Sequence, residues 1–113
     1  MKNIEEVNMT ETNRRIIQRI RTAVQEILPD SSLILFGSRA RGNPDGDSDW
    51  DILILTEKVT DEIENTLSDI LYDIELEENI IINPLVLPKE EWEFKRYKNH
   101  PIHRHVEAEG VLL

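Results

Sequence analysis

The sequence contains no cysteine. This absence excludes disulfide bonds, zinc–thiolate sites and thiol nucleophiles, and it fits the cytoplasmic location that we expect for the protein. Its apolar stretches are also short. None approaches the roughly 20 residues of a membrane-spanning helix, and none follows a charged N-terminus as it would in a secretory signal. We therefore expect no membrane span and no signal peptide.

Positive charge is scarce as well. The 113 residues include 23 acidic and 13 basic side chains, for a net charge of −10. Residues 57–93 hold 12 of the acidic side chains but only 2 basic ones. Neutralisation of phosphates supplies most of the affinity of nucleic-acid-binding proteins, so a nucleic acid is not the expected partner. Small anions in a local pocket, or a basic protein, are compatible with this charge.

The chain has enough apolar residues, 39%, to form one hydrophobic core. Apolar residues at helical spacing predict one helix between Thr10 and Pro29 and another that begins near Thr60. Short apolar runs predict three strands, and the C-terminal part predicts two more helices, of which the last ends at Gly110. The strands are expected at residues 32–36, 49–55 and 80–87.

This order of elements predicts a single α/β (α+β) domain, with a small sheet flanked by helices, over residues 10–113. Residues 1–9 show no clear period and are expected to form a flexible lead-in. Pro84 within the third predicted strand favours an edge position or a bulge, because proline has no N–H to donate to a neighbouring strand.

One segment, GSRARGNPDGDSDWD at residues 37–51, carries the chemically informative side chains. Gly37 and Ser38 follow a predicted buried strand directly, where a glycine lets the backbone approach a ligand closely. Free N–H groups in such a turn, together with the serine hydroxyl, can hold phosphate oxygens. Arg39 and Arg41 add positive charge, so the turn is a candidate anion pocket.

Asp49 and Asp51 lie two residues apart at the start of the next strand, so their side chains share a face of the sheet. Trp50 between them should point the other way, into the core. Two carboxylates that converge repel each other unless a cation lies between them, and Mg²⁺ is the hard divalent ion that prefers oxygen ligands. A phosphate-holding turn beside this pair predicts a metal–nucleotide site.

The motifs GSRARG at 37–42 and SDWD at 48–51 resemble those of the minimal nucleotidyltransferases of the DNA polymerase β-like superfamily. Many members are antitoxins paired with HEPN proteins. The resemblance implies a nucleotidyltransferase-like fold with a mixed sheet and transfer of a nucleoside monophosphate, AMP from ATP above all, to a hydroxyl that a HEPN-type partner could carry. It implies that Gly37, Ser38, Arg39 and Arg41 hold the nucleotide triphosphate.

The resemblance also implies that Asp49 and Asp51 are catalytic and ligate Mg²⁺, with two ions expected. Active members of the family add a third carboxylate from a later strand, which here would be residues 80–87. Alternation puts Asn83, Leu85 and Leu87 on one face of that strand, without an acid. Glu77, Glu78 and Glu90 lie outside it. The alternative function is therefore an inactive or weakly active module that binds a nucleotide or a partner.

The C-terminal part contains His100, His103 and His105, an H-x-x-H-x-H cluster. Metal binding is one interpretation, but residues 103 and 105 do not face each other on a helix. The favoured interpretation is a solvated basic tail.

Overall fold

The computed structural model describes residues 1–40 and 49–113, with all their side chains except those of residues 95 and 96. Within these residues the chain forms an α/β domain with one mixed sheet, as the sequence predicts. A single 3₁₀ turn, Ile4–Glu6, lies near the N-terminus. The strands and helices are β1 Lys2–Asn3, α1 Glu11–Ile27, β2 Ser32–Phe36, β3 Trp50–Thr56, α2 Asp61–Glu78, β4 Ile82–Pro88, α3 Lys89–Glu93, α4 Lys95–Lys98, α5 Pro101–Glu109 and β5 Val111–Leu112.

The sheet has the strand order β1-β5-β2-β3-β4. The central strand β2 runs antiparallel to both of its neighbours, whereas β3 and β4 are parallel, and so are β1 and β5. The strand β4 lies at one edge of the sheet and contains the exposed Pro84, which has no N–H to donate. The predicted edge position of this proline is therefore confirmed.

The two long helices begin where the sequence predicts. Thr10 accepts a hydrogen bond from the N–H of Asn13 at the start of α1, and Thr60 does the same for Ile63 at the start of α2. Each hydroxyl satisfies an N–H that the first turn of a helix would otherwise leave unpaired. The helix α2 ends at Asn79, whose φ of 54° is the left-handed conformation that asparagine tolerates.

Alternate residues of the strands divide the core between the two faces of the sheet. We call the side covered by α1 and α2 the α1/α2 face, and the side covered by α3–α5 the α5 face. On the α1/α2 face, Trp50, Ile52 and Ile54 of β3 are buried among the apolar residues of both long helices. The predicted burial of Trp50 in the core is thus confirmed, with 1% of the residue exposed.

The α5 face is covered by three short helices. Leu53 and Leu55 of β3 pack there against Trp92 of α3 and Val106 of α5. The alternation predicted for β4 is also observed: Leu85 and Leu87 pack on the α5 face, whereas Ile82 and Val86 belong to the α1/α2 face. The sheet thus separates a thick helical layer from a thinner one.

Two short strands, β1 and β5, were not predicted from the sequence. The final helix ends before Gly110 as predicted, but β5 follows it and inserts between β1 and β2. Within residues 1–9, Lys2 and Asn3 pair with β5, and Val7 packs against the core. Strands of two residues show no detectable period, so sequence patterning cannot reveal them. The domain boundary at residue 10 stays a prediction.

A cluster of ion pairs joins the long helices on their outer side. The carboxylate of Glu78 accepts hydrogen bonds from Arg15 at 2.8 and 2.9 Å and from Arg19 at 2.9 Å, while Glu77 pairs with Arg19. The hydrogen bond from Arg15, helped by that from Arg19, lowers the pKa of Glu78 from 4.5 to about 2. Part of the acidic segment is therefore neutralised within the molecule.

No helix in residues 1–40 and 49–113 is both long enough and apolar enough to cross a membrane.

Candidate active site

The candidate site lies at the edge of the sheet where β2 ends and where β3 and β4 begin. Phe36, the last residue of β2, is paired with Asp51 of β3, and Asp51 is paired with Asn83 of β4. The three residues therefore form a row across the sheet, with their side chains toward the α5 face. The strand register thus places the turn after β2 directly beside the aspartates at the start of β3.

Asp49 and Asp51 are brought together as their spacing predicts. The side-chain amide of Asn83 donates one hydrogen bond to Asp49 Oδ2, at 2.9 Å, and another to Asp51 Oδ1, at 3.2 Å. One nitrogen can contact both carboxylates only if they converge on the same point. Their roles as metal ligands stay a prediction, but the geometry that such ligands need is present.

The contact with Asn83 has a clear electrostatic basis. Two carboxylates in close proximity repel each other, and the N–H bonds of an amide carry partial positive charge that offsets this repulsion. Hydrogen bonds to a charged acceptor are also stronger than those between neutral groups. The amide N–H groups of Asn83 therefore occupy the position at which the two carboxylates attract positive charge.

Gly37 adopts a conformation that only glycine accepts without strain. Its φ is 77°, and its carbonyl accepts a hydrogen bond from the N–H of Ala40 at 3.1 Å, which closes a turn that includes Ser38 and Arg39. A Cβ atom on Gly37 would lie 2.3 Å from Asp51 Oδ2. The absence of a side chain at this position therefore lets the turn contact the aspartate directly.

Arg39 points to the other side of the sheet edge. Its guanidinium lies 4.2 Å from the centre of the Trp50 ring, and it lines a small cavity together with Thr10 and Asn13. Partial burial lowers the pKa of Arg39, and the negative charge of Asp49 opposes that shift. The predicted phosphate contacts of Arg39 and Ser38 remain untested. Arg41, predicted to face the phosphates, lies outside the described residues.

A cleft of about 410 Å³ opens beside the aspartates on the α5 face. A cavity of this size is within the range of small-molecule sites. The C-terminal segment forms one wall of this cleft. The sequence did not reveal that wall, because the spacing of the histidines does not indicate which strand α5 crosses. The cleft is lined by Phe36, Gly37 and Asp51 from the sheet, and by His100, Pro101, Ile102, His105 and Glu109 from the C-terminal segment.

The three histidines have separate surroundings, and the prediction of a solvated tail is wrong for His103. His100 caps α5 by accepting a hydrogen bond from the N–H of Ile102, at 3.2 Å. His103 is buried and stacks on Trp92, with ring centres 4.3 Å apart. His105 is exposed, like His100, and its Nδ1 lies 4.0 Å from Glu109 Oε2. A helix that packs on a sheet must bury one face, and His103 lies on that face.

The strand β4 supplies no third acid. Within residues 1–40 and 49–113, no group of three or more His, Asp and Glu side chains could hold a metal ion. Glu77 and Glu78 are paired with arginines on the opposite side of the sheet, and Glu90 is exposed on α3. The position opposite Asp51 on β4 is occupied by Asn83.

A family model described as a nucleotidyltransferase domain matches residues 17–106. A search of curated proteins finds no match.

Among solved structures, a crystal structure of a toxin–antitoxin with AMP-PNP is similar, with a TM-score of 0.59 and 20% identity over 91% of this chain and 72% of that chain. Crystal structures of two mutants of the toxin–antitoxin MntA-HpeT both give TM-scores of 0.58 and cover 72% of those chains. They are 20% and 18% identical, over 96% and 91% of this chain. At identities this low, the structural similarity shows a common fold and nothing further.

Proposed function

Because the chain belongs to the nucleotidyltransferase domain family, we propose that it is a Mg²⁺-dependent nucleotidyltransferase. It transfers a nucleoside monophosphate, AMP from ATP, to a hydroxyl group. The observation that carries this proposal is the convergence of Asp49 and Asp51 on one amide, beside a turn without a side chain at Gly37. Such a pair next to a phosphate-holding turn is the arrangement that metal-assisted phosphoryl chemistry needs.

The residues present fit a divalent cation. Asp49 and Asp51 offer carboxylate oxygens, the ligands that Mg²⁺ prefers, and an N–H donor already lies between them. These two aspartates would hold the metal, for which two ions are expected. When bound, the metal stabilises negative charge on the entering and leaving oxygens of the transfer. The role of the aspartates is to fix its position at the start of β3.

The remaining groups bind and orient the nucleotide. The turn from Gly37 to Ala40 presents backbone and the Ser38 hydroxyl to the triphosphate, with no Cβ at Gly37 to keep it away. The cleft beside Asp51 receives the rest of the nucleotide or the acceptor. A bond then forms between the acceptor oxygen and the α-phosphorus, the bond to pyrophosphate breaks, and the proton of the acceptor passes to solvent.

The acceptor hydroxyl is carried by a protein partner of the HEPN type. The support for this part is the fold shared with structures of toxin–antitoxins. The acidic segment 57–93 offers a surface for a basic partner, although Glu77 and Glu78 are already paired with arginines.

A second candidate function is a module that binds Mg-ATP or its partner without turnover. The specific observation that favours it is Asn83, which occupies the position opposite Asp51 and is not an acid. An amide is a poor base and cannot activate the acceptor hydroxyl as a carboxylate would. The two functions share the fold and differ in whether label moves from ATP to the partner.

The test uses ATP labelled at the α-phosphate, Mg²⁺, and the purified product of the adjacent gene. We expect label to transfer to that protein. The rate of transfer should fall at least about a hundredfold in Asp49→Asn and in Asp51→Asn, because each change removes a charged ligand. Glu26→Gln, on the exposed side of α1 and outside the acidic segment, is the matched control and should keep full transfer.

The results separate the two functions. Tight binding of the partner that survives both aspartate changes, without any label transfer by the wild type, supports the module instead. Label transfer that persists in Asp51→Asn removes the aspartate pair from the reaction and contradicts the proposed enzyme.

A further inference from the structure

Asn83 is the one residue that contacts both aspartates among the hydrogen bonds of the described side chains. It lies on the edge strand β4, it is exposed, and it is paired with Asp51 across the sheet. Edge position and exposure mean that its side chain can turn to solvent without leaving a buried polar group unpaired. The amide is therefore held in place by the carboxylates, and nothing in its burial prevents it from leaving.

The atoms involved define where the amide lies. Nδ2 contacts Asp49 Oδ2 and Asp51 Oδ1, so both of its N–H bonds are used on two negatively charged oxygens. A cation that binds to both of these oxygens takes the position of Nδ2, and the amide then turns or moves away.

The same contacts stabilise the metal-free site. Without the amide, two like charges would face each other with only water between them, so the free energy of the empty site would rise. Binding affinity is the difference between the bound and the free state, and a group that stabilises only the free state weakens binding. Asn83 stabilises the free state through two charge-assisted hydrogen bonds.

We propose that Asn83 is a positioning residue that restrains metal loading: it holds Asp49 and Asp51 together in the metal-free protein and must be displaced when Mg²⁺ binds. This proposal rests on the proposed function, because it assumes that the aspartates are the metal ligands. It adds that the residue in place of a third acid sets the metal concentration at which the site fills. A nucleotide that brings Mg²⁺ with it would overcome this restraint.

The experiment measures Mg²⁺ binding by calorimetry in the presence of a non-hydrolysable ATP analogue. We expect Asn83→Ala to bind Mg²⁺ about tenfold more tightly than the wild type, since hydrogen bonds to charged groups contribute about this factor or more and the exposed amide regains water. Asn83→Asp should bind more tightly still, because it adds a carboxylate. Asn65→Ala, on the exposed side of α2, is the matched control and should leave the affinity unchanged.

Thermal unfolding gives a second measurement that does not depend on the nucleotide. In a chelator, Asn83→Ala should unfold at a lower temperature than the wild type, and Asn83→Asp lower again, because like charges are left without a donor. Added Mg²⁺ should raise the unfolding temperature of both variants more than that of the wild type.

The outcomes keep this inference apart from the proposed function. If the wild type and Asn83→Ala bind Mg²⁺ equally, or if Asn83→Ala binds it more weakly, the restraint is wrong while the metal site stands. Weaker binding would mean that the amide is itself a ligand through its oxygen. If only the variants bind Mg²⁺, the restraint is supported and the wild-type protein is the module. If none of the proteins binds Mg²⁺, both proposals fail.

Discussion

Acidic side chains have different kinds of partner on the two faces of the sheet. Outside the α1/α2 face, Glu78 is held by two arginines, and only 11% of its side chain is exposed. At the rim of the α5 face, Asp49 and Asp51 share a single neutral amide. The first cluster is compensated by full positive charges in direct contact, whereas the hydrogen bonds that join Asp49 and Asp51 come from an amide with only partial positive charge. The guanidinium of Arg39 also attracts Asp49, from the other side of the sheet edge.

This difference separates a structural cluster from a candidate site. Compensated ion pairs join elements that are already packed, and they need nothing further. Carboxylates kept together without a cation raise the free energy of the empty site, and a ligand that brings positive charge can recover that energy. Substitutions in the two clusters should therefore change different properties. A change at the arginine-bound carboxylate should alter stability, and a change at the aspartates should alter metal binding.

The largest effect is expected for Gly37→Ala. Its Cβ would lie 2.3 Å from Asp51 Oδ2, and its φ of 77° is strained for any residue with a side chain. We expect a loss of about 1–3 kcal/mol in the free energy of unfolding and at least a tenfold loss in Mg-ATP affinity, because Asp51 must move. Chemical denaturation and calorimetry measure the two quantities.

Gly110→Ala is the matched control for that change. Its Cβ would also be crowded, 2.4 Å from the carbonyl oxygen of Val106 and 2.9 Å from Cγ2 of Ile34, and neither of these residues lines the cleft beside Asp51. It should lower stability without a change in Mg-ATP affinity. Equal loss of affinity in both variants would mean that general destabilisation, rather than the position of Asp51, governs binding.

The next effect concerns the structural cluster. Glu78→Gln removes the charge that binds Arg15 and Arg19, so we expect the unfolding temperature at pH 7 to fall by a few degrees, with Mg-ATP affinity unchanged. The folded-state pKa of Glu78 lies below its ordinary value. Its stabilising contribution is therefore complete above pH 4.5 and is lost as the pH falls toward about 2.

A pH series of thermal unfolding checks this prediction. The difference between the wild type and Glu78→Gln should shrink steadily below pH 4.5. A difference that stays constant down to pH 2 would show that hydrogen bonding by the side chain, rather than its charge, stabilises the helix pair. Glu62→Gln, in the exposed first turn of α2, is the control with no arginine contact described.

Much of the fold could be predicted because its signals are local. The apolar stripes of α1 and α2, the capping threonines and the three apolar strands depend on residues that are close together in the sequence. The strands β1 and β5 could not be predicted, because their pairing joins the two ends of the chain through two residues each. Contacts of this kind depend on the finished fold.

The candidate site was predictable to a similar extent. The convergence of Asp49 and Asp51 follows from strand alternation alone, which also puts Asn83 on the same face of its own strand as Leu85 and Leu87. That Asn83 bonds to both of them depends on the parallel register of β3 and β4, which no sequence pattern reveals. The wall of the cleft formed by α5 was missed for the same reason, since helix packing across a sheet is a long-range contact.

A smaller effect is expected for Arg39→Met. This change tests whether Arg39 serves the core, by packing on Trp50, or the candidate site. Methionine keeps an unbranched apolar stem over Trp50 but removes the cation that lies 4.2 Å from the ring. If Arg39 serves mainly to pack on Trp50, stability should fall by about 0.5–1 kcal/mol and Mg-ATP affinity by less than about threefold. A loss of affinity above tenfold would instead assign the guanidinium to the phosphates.

The smallest effect is expected inside the α5 face, at His103. This buried imidazole stacks on Trp92, and its Nε2 has no hydrogen-bond partner among the described residues. His103→Phe keeps a flat ring on Trp92 and removes the unpaired polar atom, so we expect stability to stay equal or to rise by up to about 1 kcal/mol. Thermal unfolding measures the change. A loss of more than about 1 kcal/mol would mean that Nε2 does have a partner, such as a bound water, and that the α5 face is more polar than its apolar contacts suggest.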